Sequence, residues 1–412
     1  MPRLLVVGGG IVGLASGLIA QRRGWRVTVV DPDFEGDRAS HGNAGGIAVS
    51  ESVPFRLAGL GIQPLRWLVD PLGPLAIRPA HAIRMLPWFM ALRRISAQHR
   101  YLAAADALAA LNARALQDFE RLLAAVGAGN ELHKLGALTV YESMEAFQRD
   151  AGEWEHKRSL GVRWREVGAS ELHRLEPNLA PVFARALVLE DWAHVDDPER
   201  VVACVRAQLL ADGAELVTGE AARLVKSSER PAVAMADGRQ LQADRVVVAA
   251  GAWSGRLART LGDRVLLESE RGYNTTLPHS VGVLRREVIF AERKFVATPL
   301  AVGLRIGGAA EFAGLSARAN FRRSDALLQL ARRYLPTLDE RDARRWMGHR
   351  PATPDSLPVI GPSPSDRRIL YAFGHGHLGL TQSATTAELI GCLLDQQTPP
   401  INMAPYAITR FS

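Results

Sequence analysis

The sequence predicts a two-domain protein of the α+β and α/β classes: a doubly wound parallel-sheet domain, discontinuous along the chain, and a second domain built on mixed or antiparallel sheet. Three observations carry this. A strand, a glycine turn, a helix and a second strand follow one another from Leu4 to Asp31. Beyond Gly127 the pattern changes to short strands separated by turns. From Pro198 to Gly251 the helix-and-strand alternation returns, so the first domain resumes after an interruption.

Leu4 to Val7 is apolar on both faces, as a central parallel strand requires. Gly8, Gly10 and Gly13 then form G-x-G-x-x-G. The first glycine permits a tight turn, the second lets a pyrophosphate approach the backbone, and the third lets helix and strand pack closely. The helix expected from Ile11 to Arg23 aims its first amides, at Ile11 and Val12, toward phosphate. Gly24 ends it, and Arg26 to Val30 forms the next strand. Asp31, followed by Pro32, stands where a carboxylate accepts from ribose hydroxyls and repels a 2′-phosphate. Together these elements mark a Rossmann-like site for one dinucleotide. The run "GLRIGG" at Gly303 to Gly308 lacks the helix and acid that a second site needs. Of FAD and NAD, the loop "FEGDRASHGNAGGIAVS" favours FAD. Ser40, Asn43 and the run Ala44-Gly45-Gly46 offer a hydroxyl, an amide and bare backbone to a broad planar ring.

From Phe55 to Val126 a helical spacing is broken by Pro64, Pro71, Pro74, Pro79 and Pro87. The stretch "ADALAALNARALQDFERLLAAV" is an amphipathic helix, apolar at Leu108, Leu111, Ala115, Phe119 and Leu122. In "RMLPWFMALRRI", Trp88, Phe89, Met90 and Leu92 stand beside Arg93 and Arg94. A core-facing helix and a face that meets a membrane surface or partner both fit. "ELHKLGALTVYES" and "ARALVLEDWAHVDD" read as strands, with "ASELHRLEPNL" a short helix between them. Pro198 opens a helix that Gly213 ends. "ELVTGEAARLV" and "RVVVAAG" read as parallel-type strands. The latter ends on Ala250 and Gly251, where a sheet's carboxyl edge meets a cofactor. From Asp263 to Phe321 strands dominate again, and "SDALLQLARRYLP" is a helix.

At 412 residues, 47% hydrophobic and 23% charged, the chain has the make-up of a soluble globular protein. Cys204 and Cys392 are far apart and form no CxxC, so neither a disulfide framework nor a metal site is expected, and a reducing compartment fits. The formal charge of +7 rests on scattered arginine pairs such as Arg22-Arg23, Arg285-Arg286 and Arg344-Arg345. Without a basic block, nucleic acid is not an expected partner. An alkaline surface and attraction to an anionic membrane remain. The first apolar run is too short for a signal peptide, and no uncharged apolar stretch reaches the roughly eighteen residues of a membrane span. The expected location is cytoplasmic, and peripheral on the inner face of the membrane where the surface reading of "RMLPWFMALRRI" holds.

The glycine triad, "ASHGNAGG", "DPLGPLAIRP", "VVVAAGAWS", "GHRPATPDSLPVIGP" and "AFGHGHLGLTQSATTAELI" occur in that order along nearly the whole chain. In this the sequence resembles the FAD-dependent D-amino-acid oxidase superfamily, and within it the bacterial D-amino-acid dehydrogenases. The resemblance implies an FAD-binding domain at 1–78, 198–262 and 340–412, and a substrate-binding domain at 79–197 and 263–339. It implies that Gly8, Gly10, Gly13 and Asp31 hold the ADP portion, with the backbone of Val225 at the adenine. Ser40 to Gly46 would lie along the flavin, near Ala250, Gly251 and Trp253. Gly376, Leu378, Gly379, Leu380 and Thr381 would serve its pyrimidine side, where a helix starting near Leu380 stabilises negative charge. Some amine oxidases of this superfamily tether FAD through a cysteine near this region. "RRWMGHRPATPD" has none, so noncovalent FAD is expected.

The same resemblance makes Arg350 the clamp for a substrate α-carboxylate, a task suited to the fixed fork of a guanidinium. Tyr273 in "RGYN" resembles a tyrosine that shares the carboxylate, although a core tyrosine fits its surroundings as well, and His377 stands where related enzymes have a small residue whose carbonyl faces the substrate amine, so that its ring either shapes the pocket or points away. His349 and His194 read as satisfied polar residues, and no general base is assigned, because hydride transfer to flavin needs alignment and a neutral amine. The implied reaction oxidises a D-amino acid, or a related secondary amino acid, to an imino acid and then a 2-oxo acid. Electrons would pass to a quinone or respiratory carrier. An oxygen-using oxidase of the glycine or sarcosine type, a 2-hydroxy acid dehydrogenase of the same superfamily and a non-catalytic FAD-bearing subunit are the alternatives. Side-chain preference, stereochemistry and oligomeric state are not legible in the sequence.

Overall fold

The computed structural model describes residues 1–55 and 75–411. Pro64, Pro71, Pro74 and the first half of "DPLGPLAIRP" lie outside the described residues. A six-stranded sheet is centred on β1 (Arg3–Val7), which pairs in parallel with β2 (Arg26–Asp31) and β14 (Arg245–Val248). Beyond β2 lies β10 (Glu215–Thr218), and beyond β14 lies β21 (Ile369–Phe373), both parallel. The antiparallel β20 (Val359–Pro362) closes that edge. Leu4 to Val7 are all buried, which accounts for the unbroken apolar run.

The helix Ile11–Arg22 packs on this sheet against the helix Ser383–Leu394, which in turn meets the helix Gln98–Ala125. The apolar stripe of that last helix, Leu108, Leu111, Ala115, Phe119 and Leu122, is buried in this contact, as its 3.6-residue spacing requires. The final helix begins at Ser383 rather than near Leu380. Residues 375–382 form instead a turn in which the Leu378 amide donates to His375 O and the Gln382 amide to Leu378 O.

The second sheet runs in the order β19 (Arg344–Ala352), β15 (Glu268–Leu277), β18 (Gly303–Phe312), β17 (Phe295–Leu300), β16 (Glu287–Phe290), β6 (Ala137–Tyr141), β8 (Arg185–Leu189) and β7 (Trp164–Gly168). The short β4 (Leu75–Ile77) also pairs with β18. Only the β16–β6 and β18–β4 pairings are parallel in this sheet. Two strands expected in the nucleotide domain, β19 and β4, thus belong to the second sheet. Between the sheets lies a small roof, β3 (Gly46–Ile47), β9 (Ala193–Val195) and β5 (Leu132–His133).

"GEAARLV" departs from its expected parallel pairing. After Gly219, whose φ is +157°, the chain leaves the parallel sheet. It enters an antiparallel meander of β11 (Ala221–Val225), β12 (Ala232–Met235) and β13 (Gln240–Gln242). The helix Leu86–Ile95 turns Trp88 and Leu92 into a cluster with Met85 and Phe312, and leaves Leu86 and Met90 exposed. No helix among the described residues is long and apolar enough to cross a membrane.

Two packing features generate predictions. A Cβ at position 13 would sit 2.0 Å from Gly8 O, and one at position 8 would sit 2.3 Å from Ala249 O. Gly13→Ala should therefore cost about 1–3 kcal/mol, as overpacking does, and give a protein that melts earlier and retains less flavin; an unchanged melt would contradict the contact. Behind the roof, Glu287 is buried with its Oε2 against Gly46, and Trp192 Nε1 donates to that oxygen at 3.2 Å. Burial, reinforced by the charge of Glu51, pushes the Glu287 pKa up to about 8. A carboxyl raised in this way is held neutral in the fold, so its stabilising contribution is complete below the unfolded pKa and is lost as pH rises through about 8. Glu287→Gln cannot ionise. Its melting temperature should match the parent at pH 5 and exceed it by roughly 2–4 °C at pH 9, as scanning calorimetry at the two pH values would show.

Candidate active site

The carboxyl ends of β1, β2 and β14 meet at the glycine turn. The Gly8 amide donates to Val30 O at 2.8 Å, and the Ala249 amide donates to Val7 O at 2.8 Å. Gly8 has a φ of +117°, open to glycine at little cost. Gly10 caps the helix, and the Ile11 amide donates to Ser40 Oγ at 3.1 Å, so Ser40 lies at the helix N-terminus beside Val12. Asp31 faces the same turn: its Oδ2 accepts from the Gly9 amide at 2.6 Å and its Oδ1 from the Asp33 amide at 3.0 Å. Pro32 is exposed beyond it. Arg38, which the sequence reading passed over, donates from Nη1 to Gly9 O at 2.7 Å and lies 3.5 Å from Asp31 Oδ2. This is a bare backbone cradle with a helix N-terminus and a carboxylate, and it fits a dinucleotide.

Gly42 to Gly46 connects this cradle to the second sheet. Asn274 Nδ2 donates to Gly42 O at 2.8 Å, and Arg305 Nη1 donates to the carbonyls of His41 and Asn43. The Gly45 amide turns back onto Asn43 Oδ1, while the Val195 amide donates to Gly45 O. Ala44, between these two anchored residues, is half-buried. On the far side, Thr381 Oγ1 accepts from the Ala48 amide at 3.0 Å and donates to Gly46 O at 3.4 Å. The turn holding Gly376, Leu378, Gly379 and Leu380 is thereby fixed against the loop. Asn274 Oδ1, Trp346 Nε1 and His194 Nδ1 are buried without a partner among the described residues. Unpaired polar atoms around a glycine-rich loop suit a flat ring bearing nitrogen and oxygen atoms.

Arg350 sits near the end of β19 opposite Glu270, and its Nη1 donates to Glu270 Oε1 at 3.1 Å. Its guanidinium lies over Gly272, where a Cβ would come within 2.5 Å of Cζ. Gly348 and Trp346 precede it on the same strand face, and a Cβ at Gly42 would run into the Trp346 ring at 2.1 Å. The arginine face of β19 is therefore the face turned to the Gly42–Gly46 loop. The Gly376 amide donates to Pro351 O at 2.9 Å, so the glycine turn abuts the end of this strand. Among the described residues Arg350 Nε and Nη2 have no hydrogen-bond partner, and the side chain is 29% exposed. A carboxylate can take that free edge.

Tyr273 does not join Arg350. Its register partner on β19 is Met347, an odd number of residues from Arg350, so the two side chains leave the sheet on opposite faces. The Tyr273 hydroxyl donates to Glu311 Oε2 at 2.6 Å and accepts from the Asn320 amide at 3.0 Å, fully buried. It is a core tyrosine. His349 shares that other face, pairs with Ser269 Oγ at 2.7 Å and stands edge-on to Trp253. Burial drives its pKa down to about 4, as it does for His194. His375 is buried against Thr386 Oγ1 and falls to about 3. His377 lies exposed on the turn, and the protein crowded about its ring lowers its pKa by desolvation; Arg350 and Lys157 add to that shift, and Glu51 and Glu270 oppose it. Val225 closes β11 against Ala232, while Ala250 and Gly251 follow β14 beside Gly8. A groove of 260 Å³ lined by Arg22, Arg23 and Arg121 lies at the opposite end of the helix Ile11–Arg22, and those arginines already have carboxylate partners.

Glu270, Arg305, Asn274 and Trp346 were invisible as site residues in the sequence. The available signal was a charged or amide side chain inside an otherwise strand-like run, as in "SERGYN" and "GLRIGG".

The family model of FAD-dependent oxidoreductases named DAO matches residues 3–393. A protein named D-amino-acid oxidase from Bradyrhizobium diazoefficiens is 35% identical over 98% of both chains. Glycine oxidase from Geobacillus kaustophilus superposes with a TM-score of 0.75 at 21% identity, over 100% of this chain and 99% of its own. L-Proline dehydrogenase from P. horikoshii gives 0.73 at 17% identity, over 100% and 97%. With the glycine cradle, the carboxylate at the end of β2 and this match across the chain, the protein belongs to the D-amino-acid oxidase superfamily of FAD-dependent oxidoreductases.

Proposed function

We propose that the chain oxidises an amino acid at its α-carbon, gripping the α-carboxylate with Arg350 and giving an imino acid that water hydrolyses to the 2-oxo acid. One observation carries the reading: a guanidinium with a free edge, on the strand face turned to the flavin-type loop and adjoining the Gly376–Thr381 turn. FAD, held by Gly8 to Gly13, Asp31, Ser40 to Gly46 and the turn at Gly376 to Thr381, supplies the hydride acceptor. The protein's own part is positional. Arg350 fixes two oxygens of the substrate, which leaves the α-hydrogen a narrow range of orientations. The buried His194, His349 and His375 stay neutral near pH 7.

The D-enantiomer is the preferred substrate in this reading, in keeping with the name of the 35% identical relative. The acceptor proposed from the sequence is a quinone or respiratory carrier, reached by a peripheral contact through the exposed Leu86 and Met90 beside Arg93 and Arg94. The names of the oxidase relatives favour a second reading, with oxygen as acceptor. Turnover under air compared with turnover on a quinone dye under nitrogen separates them: a quinone-linked enzyme should be nearly idle in air alone. Arg350→Met should stay yellow while the Michaelis constant rises by about two to three orders of magnitude, the scale expected when one partner of a buried charge-assisted pair is removed. An unchanged constant removes Arg350 from the site.

A further inference from the structure

We propose that Glu270 is a positioning residue for the substrate: by accepting from one end of the Arg350 guanidinium, it leaves a single free edge of that group, Nε with Nη2, for the α-carboxylate and fixes where that edge points. This rests on the reading that the substrate is an amino acid held at Arg350.

Two contacts of different kinds restrain the guanidinium. Within its plane, Nη1 donates to Glu270 Oε1 at 3.1 Å, from the residue directly opposite on β15. Out of the plane lies Gly272. A Cβ there would stand 2.5 Å from Cζ and 2.6 Å from both Nε and Nη2. These distances are nearly equal, so the flat face of the group, not its edge, rests on the glycine. Stacking on Gly272 alone would let the group turn within its plane, and the bond to Glu270 alone would let it swing about Nη1. Together they fix both. A guanidinium has two edges that can grip a carboxylate. The Nη1–Nη2 edge shares its Nη1 with Glu270, which leaves Nε with Nη2 as the edge free at both nitrogens.

The other acids on these strands are engaged elsewhere. Glu268, two residues along the same face, pairs with His81 Nε2 at 2.9 Å. Glu311 belongs to the opposite face, where it accepts from Tyr273 and Arg78 and stands 3.7 Å from Arg271 Nη1. Glu270 is therefore the one carboxylate among the described residues within ion-pair distance of Arg350. On its other side Glu270 has Phe312 of β18 as register partner, which packs on Trp88 with ring centres 5.3 Å apart. Those rings offer the carboxylate no competing charge. Both members of the Arg350–Glu270 pair are partly open to solvent, where an ion pair adds little to stability. Its consequence is orientation. Hydride departs only when the α-hydrogen points the right way, and a carboxylate gripped at two nitrogens turns with the edge that grips it. Without Glu270 the guanidinium keeps its charge and still attracts a carboxylate, but it presents both edges.

The test uses the flavin-loaded enzyme and the fastest substrate found among the standard amino acids in both enantiomers. Glu270→Ala should lower kcat about ten- to a hundredfold and raise the Michaelis constant only a few-fold, because the charge of Arg350 stays. Glu270→Gln keeps an oxygen for Nη1 and should recover most of the lost kcat. In an Arg350→Met background, Glu270→Ala should cause no further loss of kcat/KM, since a residue that acts through Arg350 has nothing left to act on. Gly272→Ala displaces the guanidinium from its flat side. It should likewise lower kcat, only where Arg350 is present, and it carries the test if Glu270→Ala fails to hold flavin. Melting temperature and flavin content report folding. Equal losses with and without Arg350, a loss confined to the Michaelis constant, or a Gln variant no better than Ala each overturn the proposal. An Arg350→Met enzyme with unchanged kinetics, or a flavin that no amino acid bleaches, removes the underlying reading instead.

Discussion

The close approach of three backbone segments around Gly8 is the constraint on which the rest of the structure depends. Gly8 touches Ala249 on one side and Gly13 on the other at separations that exclude any Cβ. Those contacts bring the ends of β1 and β14 and the start of the helix Ile11–Arg22 to one point, and Asp31 reaches that point by accepting from the Gly9 amide. Unsatisfied amides at a helix start attract negative charge, and a carboxylate one strand away accepts hydroxyl donors. The preference for a dinucleotide follows from backbone geometry before any side chain specific to the reaction is considered.

A second constraint transmits that geometry to the other domain. In the segment 40–48 only the two-residue β3 pairs in a sheet, with β9, so most of the remaining carbonyls and amides need partners from elsewhere. They come from opposite directions: Asn274 and Arg305 from the large sheet, Thr381 from the final turn, and Ser40 from within the segment to the helix start. Arg305 is deeply buried, and burial pulls its pKa down to about 10, which leaves it charged and its hydrogen bonds strong at neutral pH. A loop bonded on all sides fixes the distance between the nucleotide cradle and the sheet that carries Arg350. The cradle and Arg350 are then held relative to one another by the same few polar contacts.

Much of this was legible in the sequence because it is local. The glycine triad, the helix from Ile11, the acid at position 31 and the apolar stripe from Leu108 to Leu122 depend on neighbours within one or two turns or strands. Tyr273 was left open between a carboxylate partner and a core tyrosine for the opposite reason. Whether it faces Arg350 depends on the register of β15 against β19, two strands some seventy residues apart, and an offset of one residue reverses the answer. The same holds for Glu270, whose pairing with Arg350 exists only in that register. β11 was read as parallel because its apolar content matches a buried strand, while its antiparallel pairing depends on the break at Gly219. Arg350 itself was found through the resemblance, since nothing in its own neighbourhood distinguishes it from the other arginines.

The electrostatics of the site are fixed charges rather than titrating ones. His194, His349 and His375 are all driven well below neutrality by burial, and His377 is lowered too. A histidine that could gain a proton between pH 5 and 8 would alternately attract and repel the substrate amine. With the imidazoles neutral, the fixed charges beside the Gly42–Gly46 loop are those of Arg350 and Glu270 on the sheet. An ammonium has no lone pair to form the new carbon–nitrogen double bond as hydride leaves. Loss of that proton must therefore precede the step, to water or to a carboxylate already present.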